Sequence, residues 1–398
     1  MIMRPAYLEA LRPFVDMPLV KILAGIRRSG KSTILLMLRS MLLEKGVPED
    51  RIILRRYTDM AYDGFDQRRM YDDLCASVSG GERRYLLLDE AQEITGWEKV
   101  VNSLLESGRA DIYVTGSNSR LMSSEISTYL TGRYVQIPVW TLSFREYLDF
   151  RSESGLSRTE LLERYIRMGG FPVAALGDYD EQTAAQIAEG IFHTVVTRDI
   201  ISRHRIANQD LFNRVVRFVI DNMGMTFSAN SIRTFLKSEH RSISVEAIYN
   251  DLLWLEQAFI IYPCKRYDLQ GKAILKTQEK YYLADVSLRY ALSGYQGRMR
   301  SAVLENILYL ELRRRGYSVY VGKLGDREID FVAEKRGEKI YVQACVTVPE
   351  GSSRETDNLE RIGDNYPKYV VTLDRLATGN ENGIRIVHLE DFLLSESW

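Results

Sequence analysis

Val20-Lys21-Ile22-Leu23-Ala24-Gly25-Ile26-Arg27-Arg28-Ser29-Gly30-Lys31-Ser32 decides how the first third of this chain folds. An apolar run meets a glycine turn, and the turn meets a helical pattern with Ile34, Leu35, Leu38 and Leu42 on one face. Gly25 to Ser32 fits the spacing G-x-x-x-x-G-K-[ST], in which glycines let backbone N–H groups close around phosphate oxygens and the lysine reaches the outer phosphates. The positive end of the helix that starts there adds to the preference for anions. The expected phosphate cradle is therefore Gly25, Ile26, Arg27, Arg28, Ser29, Gly30, Lys31, Ser32 and Thr33.

Working outward, residues 51–57, 85–88 and 111–115 repeat the strand signal, with helical segments at 65–78 and 97–107 between them. Strands alternating with helices predict a parallel sheet, so the first ~145 residues read as one α/β domain. Leu86-Leu87-Leu88-Asp89-Glu90 is an apolar strand ending in two carboxylates. Such a pair completes a Mg²⁺-dependent ATP site: Asp89 holds the ion together with the Ser32 hydroxyl, and Glu90 polarises the attacking water. Ile112 to Asn118 is a second strand ending in small polar residues, where Ser117 or Asn118 either senses the γ-phosphate or forms a plain polar turn. Arg133 is either an arginine finger for a neighbouring subunit's nucleotide or a surface arginine at the start of a strand.

The bulk composition narrows the class without choosing the partner. A 398-residue chain exceeds one ordinary core, so two or three domains are expected. The 45% hydrophobic and 27% charged fractions are those of folded globular proteins. A net charge of -1 excludes a chain-wide electrostatic footprint for nucleic acid, leaving only a local patch for DNA. Cys75, Cys264 and Cys345 are too far apart for a disulfide framework or a zinc site. No stretch approaches a membrane span, and Arg4, Pro5, Glu9 and Arg12 interrupt any secretory segment, which makes the cytoplasm the expected location.

Beyond the first domain, residues 141–204 are helical in period and broken at Gly169-Gly170-Phe171-Pro172. Three short amphipathic helices then precede β-rich segments at 259–262 and 280–283, an order that suggests a winged helix-turn-helix. A helix at 303–315 and strands at 317–321, 328–334, 340–346 and 368–373 make a third, α/β unit.

With these residues in view, the chain resembles the prokaryotic AAA-type ATPases that carry a C-terminal domain of unknown function. The resemblance spans nearly the whole chain. It rests on Gly25 to Ser32, Leu88-Asp89-Glu90-Ala91-Gln92, Thr115-Gly116-Ser117-Asn118, Leu130 to Arg133, Leu142-Ser143-Phe144-Arg145-Glu146 and Gly169 to Pro172, then on Tyr281 to Asp285, Leu304-Glu305-Asn306, Glu328 to Val332 and Asn365 to Tyr369. It implies a P-loop ATPase domain at 1–145, a helical connector or lid at 146–205, a winged-helix domain at 206–285 and a degenerate restriction-endonuclease-like α/β domain, of the PD-(D/E)xK kind, at 286–398.

A nuclease of that fold needs three acidic positions and a lysine around Mg²⁺. Glu305 and Asp330 fill two of them, with Glu328 nearby, but Gln343 and Cys345 stand where an acid and a lysine belong. The domain is therefore expected to be a scaffold rather than a nuclease. Arg198, Arg203, His204, Arg205, Arg233, Lys237, His240 and Arg241 surround the winged-helix segment, whereas its third helix carries Glu246, Asp251 and Glu256. Two uses of ATP and Mg²⁺ follow: a homo-oligomeric motor on DNA, with a hexameric ring as one arrangement, or a nucleotide-gated switch that binds a protein in defence or regulation.

Overall fold

A computed structural model of the chain describes residues 2–79, 82–118, 129–130, 132–275, 279–294, 299–348 and 354–398. It divides into two compact units, Met1–Thr141 with Gln257–Phe259, and Leu142–Glu256 with Ile260–Trp398.

The first unit is built on five parallel strands: β1 (Val20–Ala24), β2 (Ile52–Arg56), β3 (Arg84–Asp89), β4 (Ala110–Gly116) and β5 (Tyr134–Pro138), in the order β2-β3-β4-β1-β5. Every residue of β1 and β4 is buried, as central strands covered on both faces must be. The helices Lys31–Glu44, Gln67–Ser77 and Trp97–Glu106 follow β1, β2 and β3. Leu23, Ile34, Leu35, Leu38, Leu87 and Tyr113 share one core. Lys21 is the polar exception inside β1, and its ammonium pairs with Asp111 and donates to the Met17 carbonyl at 2.9 Å. This is the expected P-loop NTPase architecture. Register does the positioning: Ala24 lies beside Gly116 and Leu88 beside Val114, so the C-terminal ends of β1, β3 and β4 meet at one edge. Ligands in open α/β sheets bind at that edge. β5, whose Tyr134-Val135-Gln136-Ile137-Pro138 mixes polar and apolar residues at the margin of the sheet, begins directly after Arg133, as the strand-start alternative for that arginine expects.

The second unit opens with helices Phe144–Phe150 and Arg158–Met168, each started by a Ser–Glu capping box, through Ser143 with Glu146 and Ser157 with Glu160. Helix Glu181–Thr194 runs on into a π-helix at Val195–Ser202. The Gly169-Gly170 break has a packing cause. Gly169 has φ +75°, and a Cβ there would stand 1.8 Å from Asp285 Oδ1, while the Gly170 N–H donates to Asp285 Oδ2 at 2.8 Å.

Helices Gln209–Asp221, Ala229–Ser238 and Val245–Gln257 come next, followed by β6 (Ile261–Cys264), which pairs antiparallel with β9 (Lys280–Leu283). Between these two strands in the chain, β7 (Arg266–Asp268) and β8 (Ala273–Ile274) leave to join a different sheet. That sheet has the order β14-β15-β13-β12-β11-β10-β7-β8, with β10 (Ser318–Leu324), β11 (Arg327–Lys335), β12 (Glu338–Cys345), β13 (Lys368–Thr372), β14 (Gly379–Glu381) and β15 (Ile384–His388). A division at residue 285 therefore cuts through a sheet that already includes residues 266–274. Period counting had no purchase on β7, three residues long and half-buried throughout. Among the described residues no helix is long and apolar enough to cross a membrane, and Cys75, Cys264 and Cys345 form no disulfide.

Candidate functional site

The loop after β1 is shaped by contacts that only its residue types permit. A Cβ on Gly25 would lie 2.0 Å from the Val139 carbonyl oxygen, so the strand end and the loop pass at a distance open to glycine alone. Gly30 takes φ +98° as the residue before helix Lys31–Glu44, and Arg28 takes φ +66°. Lys31 is buried, and its ammonium donates back to the Gly25 and Ile26 carbonyls at 3.0 and 3.1 Å. The ammonium is thereby held under the loop that is to receive phosphate. Ile26 and Ser29 are buried, Arg27 is half-buried with Glu93 at 3.8 Å, Arg28 and Ser32 are exposed, and Thr33 is half-buried. The Ser29 hydroxyl is buried with no hydrogen-bond partner among the described residues. A loop with an orphaned donor, a cradled ammonium and a glycine pressed on a carbonyl fits a bound polyphosphate.

The two carboxylates at the end of β3 converge on this loop. Ser32 Oγ donates to Asp89 Oδ1 at 2.9 Å, which joins residues 57 positions apart and supplies the hydroxyl and carboxylate that a Mg²⁺ ion takes. Glu90 begins the next turn with φ +53° and stands 3.7 Å from the Lys31 ammonium. Burial pushes its carboxyl up, but Lys31, a hydrogen bond from Gln92, Arg27 and Ser117 together bring it below the ordinary glutamate value. Ser117 and Asn118, at the end of β4, are both buried. The Gln92 amide donates to Glu90 Oε2 and, at 3.5 Å, to Ser117 Oγ.

Two members of this site escaped the sequence reading. Thr115 accepts the Glu90 N–H at 2.9 Å and donates to Asp89 Oδ1 at 2.6 Å, so one hydroxyl fixes both acids. Its signal was a threonine opposite the acidic strand end. Arg4 is buried, with its guanidinium donating to the Ser29 carbonyl at 2.8 Å and the Trp140 carbonyl at 3.1 Å, behind the loop. Nothing in its local sequence marks that role.

Arg133 is not part of this constellation within its own chain. Its carbonyl accepts the Val20 N–H at 3.0 Å, which puts it at the opposite end of β1, roughly 16 Å from the loop by strand rise. Its guanidinium donates to Asn102 at 2.7 Å and Glu106 at 3.1 Å. Thr131, in the same motif, lies outside the described residues.

A second group of acids gathers around Lys280, which the sequence reading did not consider. Lys280 and Tyr282 alternate onto one face of β9, and both reach Glu305 Oε2 at 3.2 Å. Glu328 Oε1 lies 2.8 Å and Asp330 Oδ1 3.8 Å from the same ammonium. Burial lowers the Lys280 ammonium, yet the three carboxylates outweigh it and raise the group above its ordinary value. Asp330 is pushed up to about 8, first by burial and then by Glu305, against Lys280. Gln343 accepts the Asp330 N–H at 3.2 Å, and the buried Cys345 thiol donates to the Thr347 carbonyl at 2.9 Å. Of the basic residues before and among helices Gln209–Asp221, Ala229–Ser238 and Val245–Gln257, Arg198, Arg205, Arg233 and Lys237 are exposed, Arg203 and His204 are half-buried, with His204 stacked on Trp254, and Arg241 stands 3.5 Å from Asp210.

Against known proteins, a family model described as an AAA domain matches residues 18–148, and one described as a domain of unknown function (DUF8612) matches residues 159–298. An uncharacterized protein of Haemophilus influenzae is 38% identical over 398 residues, covering 99% of each chain. Uncharacterized protein MJ1544 of Methanocaldococcus jannaschii is 28% identical over 94% of this chain and 85% of its own. Among solved structures, the Walker-type ATPase PABY2304 of Pyrococcus abyssi is similar in fold, with a TM-score of 0.53 at 16% identity over 73% of this chain and 96% of that chain.

Proposed function

Because the chain belongs to the AAA-type P-loop ATPases that carry a C-terminal domain of unknown function, we propose that it binds ATP with Mg²⁺ and hydrolyses it at the edge of the first sheet. The observation that carries this reading is the Ser32–Asp89 hydrogen bond at the mouth of the Lys31 loop, with Glu90 one residue further on. Backbone N–H groups of residues 25–33 and the Lys31 ammonium receive the phosphates, and Ser32 and Asp89 hold the ion. When bound, Mg²⁺ offsets charge on the β- and γ-phosphate oxygens. Glu90, kept ionised by Lys31 and Gln92, accepts a hydrogen bond from the attacking water and orients it, while Ser117 and Asn118 face the γ-phosphate end of the site. Glu90→Gln is expected to bind a fluorescent ATP analogue normally and to stall phosphate release. Wild-type turnover in that variant would remove Glu90 from the mechanism.

In an oligomer, Arg133 serves as the finger for a neighbour's nucleotide, since its place at the far end of β1 excludes its own. Arg133→Ala subunits and Lys31→Ala subunits, each inactive alone, then regain activity when mixed, because a shared interface needs one intact copy of each group.

Turnover would serve either an oligomeric motor on DNA or a nucleotide-gated switch for a protein partner. Exposed Arg233 and Lys237 on helix Ala229–Ser238 support contact with phosphate backbones. Helix Val245–Gln257 favours the second reading at its own surface: it contains no lysine or arginine and exposes Tyr249, Leu253 and Glu246. ATPase rates with and without duplex, forked and branched DNA, beside the mass of the assembly, separate the two. Stimulation by DNA supports the motor, and indifference to all three supports the switch.

A further inference from the structure

Gln92 stands in the ATP site with one end of its amide, the oxygen, left unused by the assigned chemistry. Its amide nitrogen donates to Glu90 Oε2 and lies 3.5 Å from Ser117 Oγ. An ionised carboxylate only accepts, so the NH₂ end of the amide must face Glu90 and the oxygen end must face elsewhere. That oxygen, Oε1, is buried with no hydrogen-bond partner among the described residues. A buried acceptor left open is destabilising, and a protein tolerates it where a ligand closes the gap.

A water molecule that attacks phosphorus in line has two hydrogens to place, and one acceptor fixes only one of them. Glu90 supplies the first acceptor. We propose that Gln92 Oε1 supplies the second, so that Glu90 and Gln92 together orient the attacking water, with the Gln92 amide nitrogen tying both to Ser117. The inference rests on the ATP-hydrolysis reading above. In the step, the water oxygen bonds to the γ-phosphorus as the bond to the β–γ bridging oxygen breaks. ADP leaves with that electron pair, and the water's proton passes to Glu90 and then to solvent or the released phosphate. Gln92 accepts a hydrogen bond throughout and takes no proton.

The charged groups around Glu90 are Lys31 from the loop helix, Arg27 from the loop, Asp89 beside it on β3 and Glu93 in the following turn. The Gln92 hydrogen bond is one of the contributions that hold Glu90 below its ordinary value, after burial and Lys31.

The test uses the full-length protein with Gln92→Met, which keeps length and removes the amide, and Gln92→Glu, which keeps shape and replaces the amide with an acid. Affinity for a fluorescent ATP analogue, single-turnover hydrolysis and thermal stability are measured for each. Both variants are expected to bind nucleotide within about threefold of wild type, to keep their thermal midpoint and to hydrolyse on the order of 10²-fold more slowly. A residue that only packs would lower affinity and thermal stability together with the rate, and this result overturns the proposal. Near-normal rates in both variants, with Glu90→Gln still stalled, overturn the role of Gln92 alone. Should Glu90→Gln also run normally, the underlying reading of the site falls instead.

Discussion

Lys31 and Lys280 are both buried lysines set against carboxylates, and they are held in opposite ways. Lys31 rests on two backbone carbonyls at 3.0 and 3.1 Å, with Glu90 further off at 3.7 Å. Lys280 has Glu328 at 2.8 Å, Glu305 at 3.2 Å and Asp330 at 3.8 Å. Neutral dipoles can place an ammonium without cancelling its charge, whereas three acids cancel it and leave negative charge over. The first arrangement presents a cation to an incoming anion, and the second consumes its cation internally. Proximity of lysine and acid does not make a reactive centre; what decides is which groups hold the lysine.

The sharpest way to break this comparison is to remove each ammonium. Lys31→Ala is expected to abolish nucleotide binding and ATP turnover while the denaturant midpoint falls less than in the Lys280 variant, because most of what it leaves are neutral carbonyls rather than carboxylates. Lys280→Met is expected to do the reverse. Stranding buried acids without their cation costs about 3–5 kcal/mol, read as a lower urea midpoint, while the affinity for a fluorescent ATP analogue holds. If Lys280→Met lost nucleotide binding at unchanged stability, the two lysines would not divide as argued.

The same contrast explains what was legible in the sequence. The Lys31 site is contiguous: strand, glycine loop and helix are local, and Asp89 and Glu90 announce themselves at the end of an apolar run. Its hidden members, Thr115 and Arg4, act through hydrogen bonds whose partners lie 25 or more positions away. The Lys280 cluster is assembled largely by topology. The family resemblance groups Glu305, Glu328 and Asp330, but Lys280 comes from the short β9, and no spacing in the chain brings it to them. The search for a lysine beside Gln343 looked along one strand, and the cation arrived from another sheet. Likewise β7 and β8 are too short to carry a period, and only their pairing with β10 reveals the sheet they join.

The smallest effect expected is also the most specific to the second cluster. Asp330 is pushed up to about 8, and Glu305 is raised as well, each with burial as the first cause. An unfolded aspartate releases its proton near pH 4. Between about pH 4 and about pH 8 the folded chain therefore holds protons that the unfolded chain has lost, so stability falls as pH rises through that window. Asp251, pushed up to about 7 by burial, and Glu256, raised first by burial, add slopes of the same sign from outside the cluster, while the remaining shifted groups act elsewhere. The raised Lys280 contributes stability that is fully present below the ordinary lysine value of about 10.5 and is lost only as pH climbs through its folded value. The lowered Glu90 contributes above the ordinary glutamate value and loses that contribution at lower pH still. His388, lowered mainly by burial, acts with the opposite sign, losing stability as pH falls below the ordinary histidine range. Urea unfolding from about pH 5 to about pH 8 is thus expected to show a declining midpoint in the wild type. Asp330→Asn keeps an oxygen to accept the Ala344 N–H, at 2.9 Å in the native chain, and should remove the part of the decline nearest pH 8, leaving the share of Asp251. An unchanged slope in Asp330→Asn would mean that Asp330 stays ionised beside Lys280 and that the native decline comes from other buried acids.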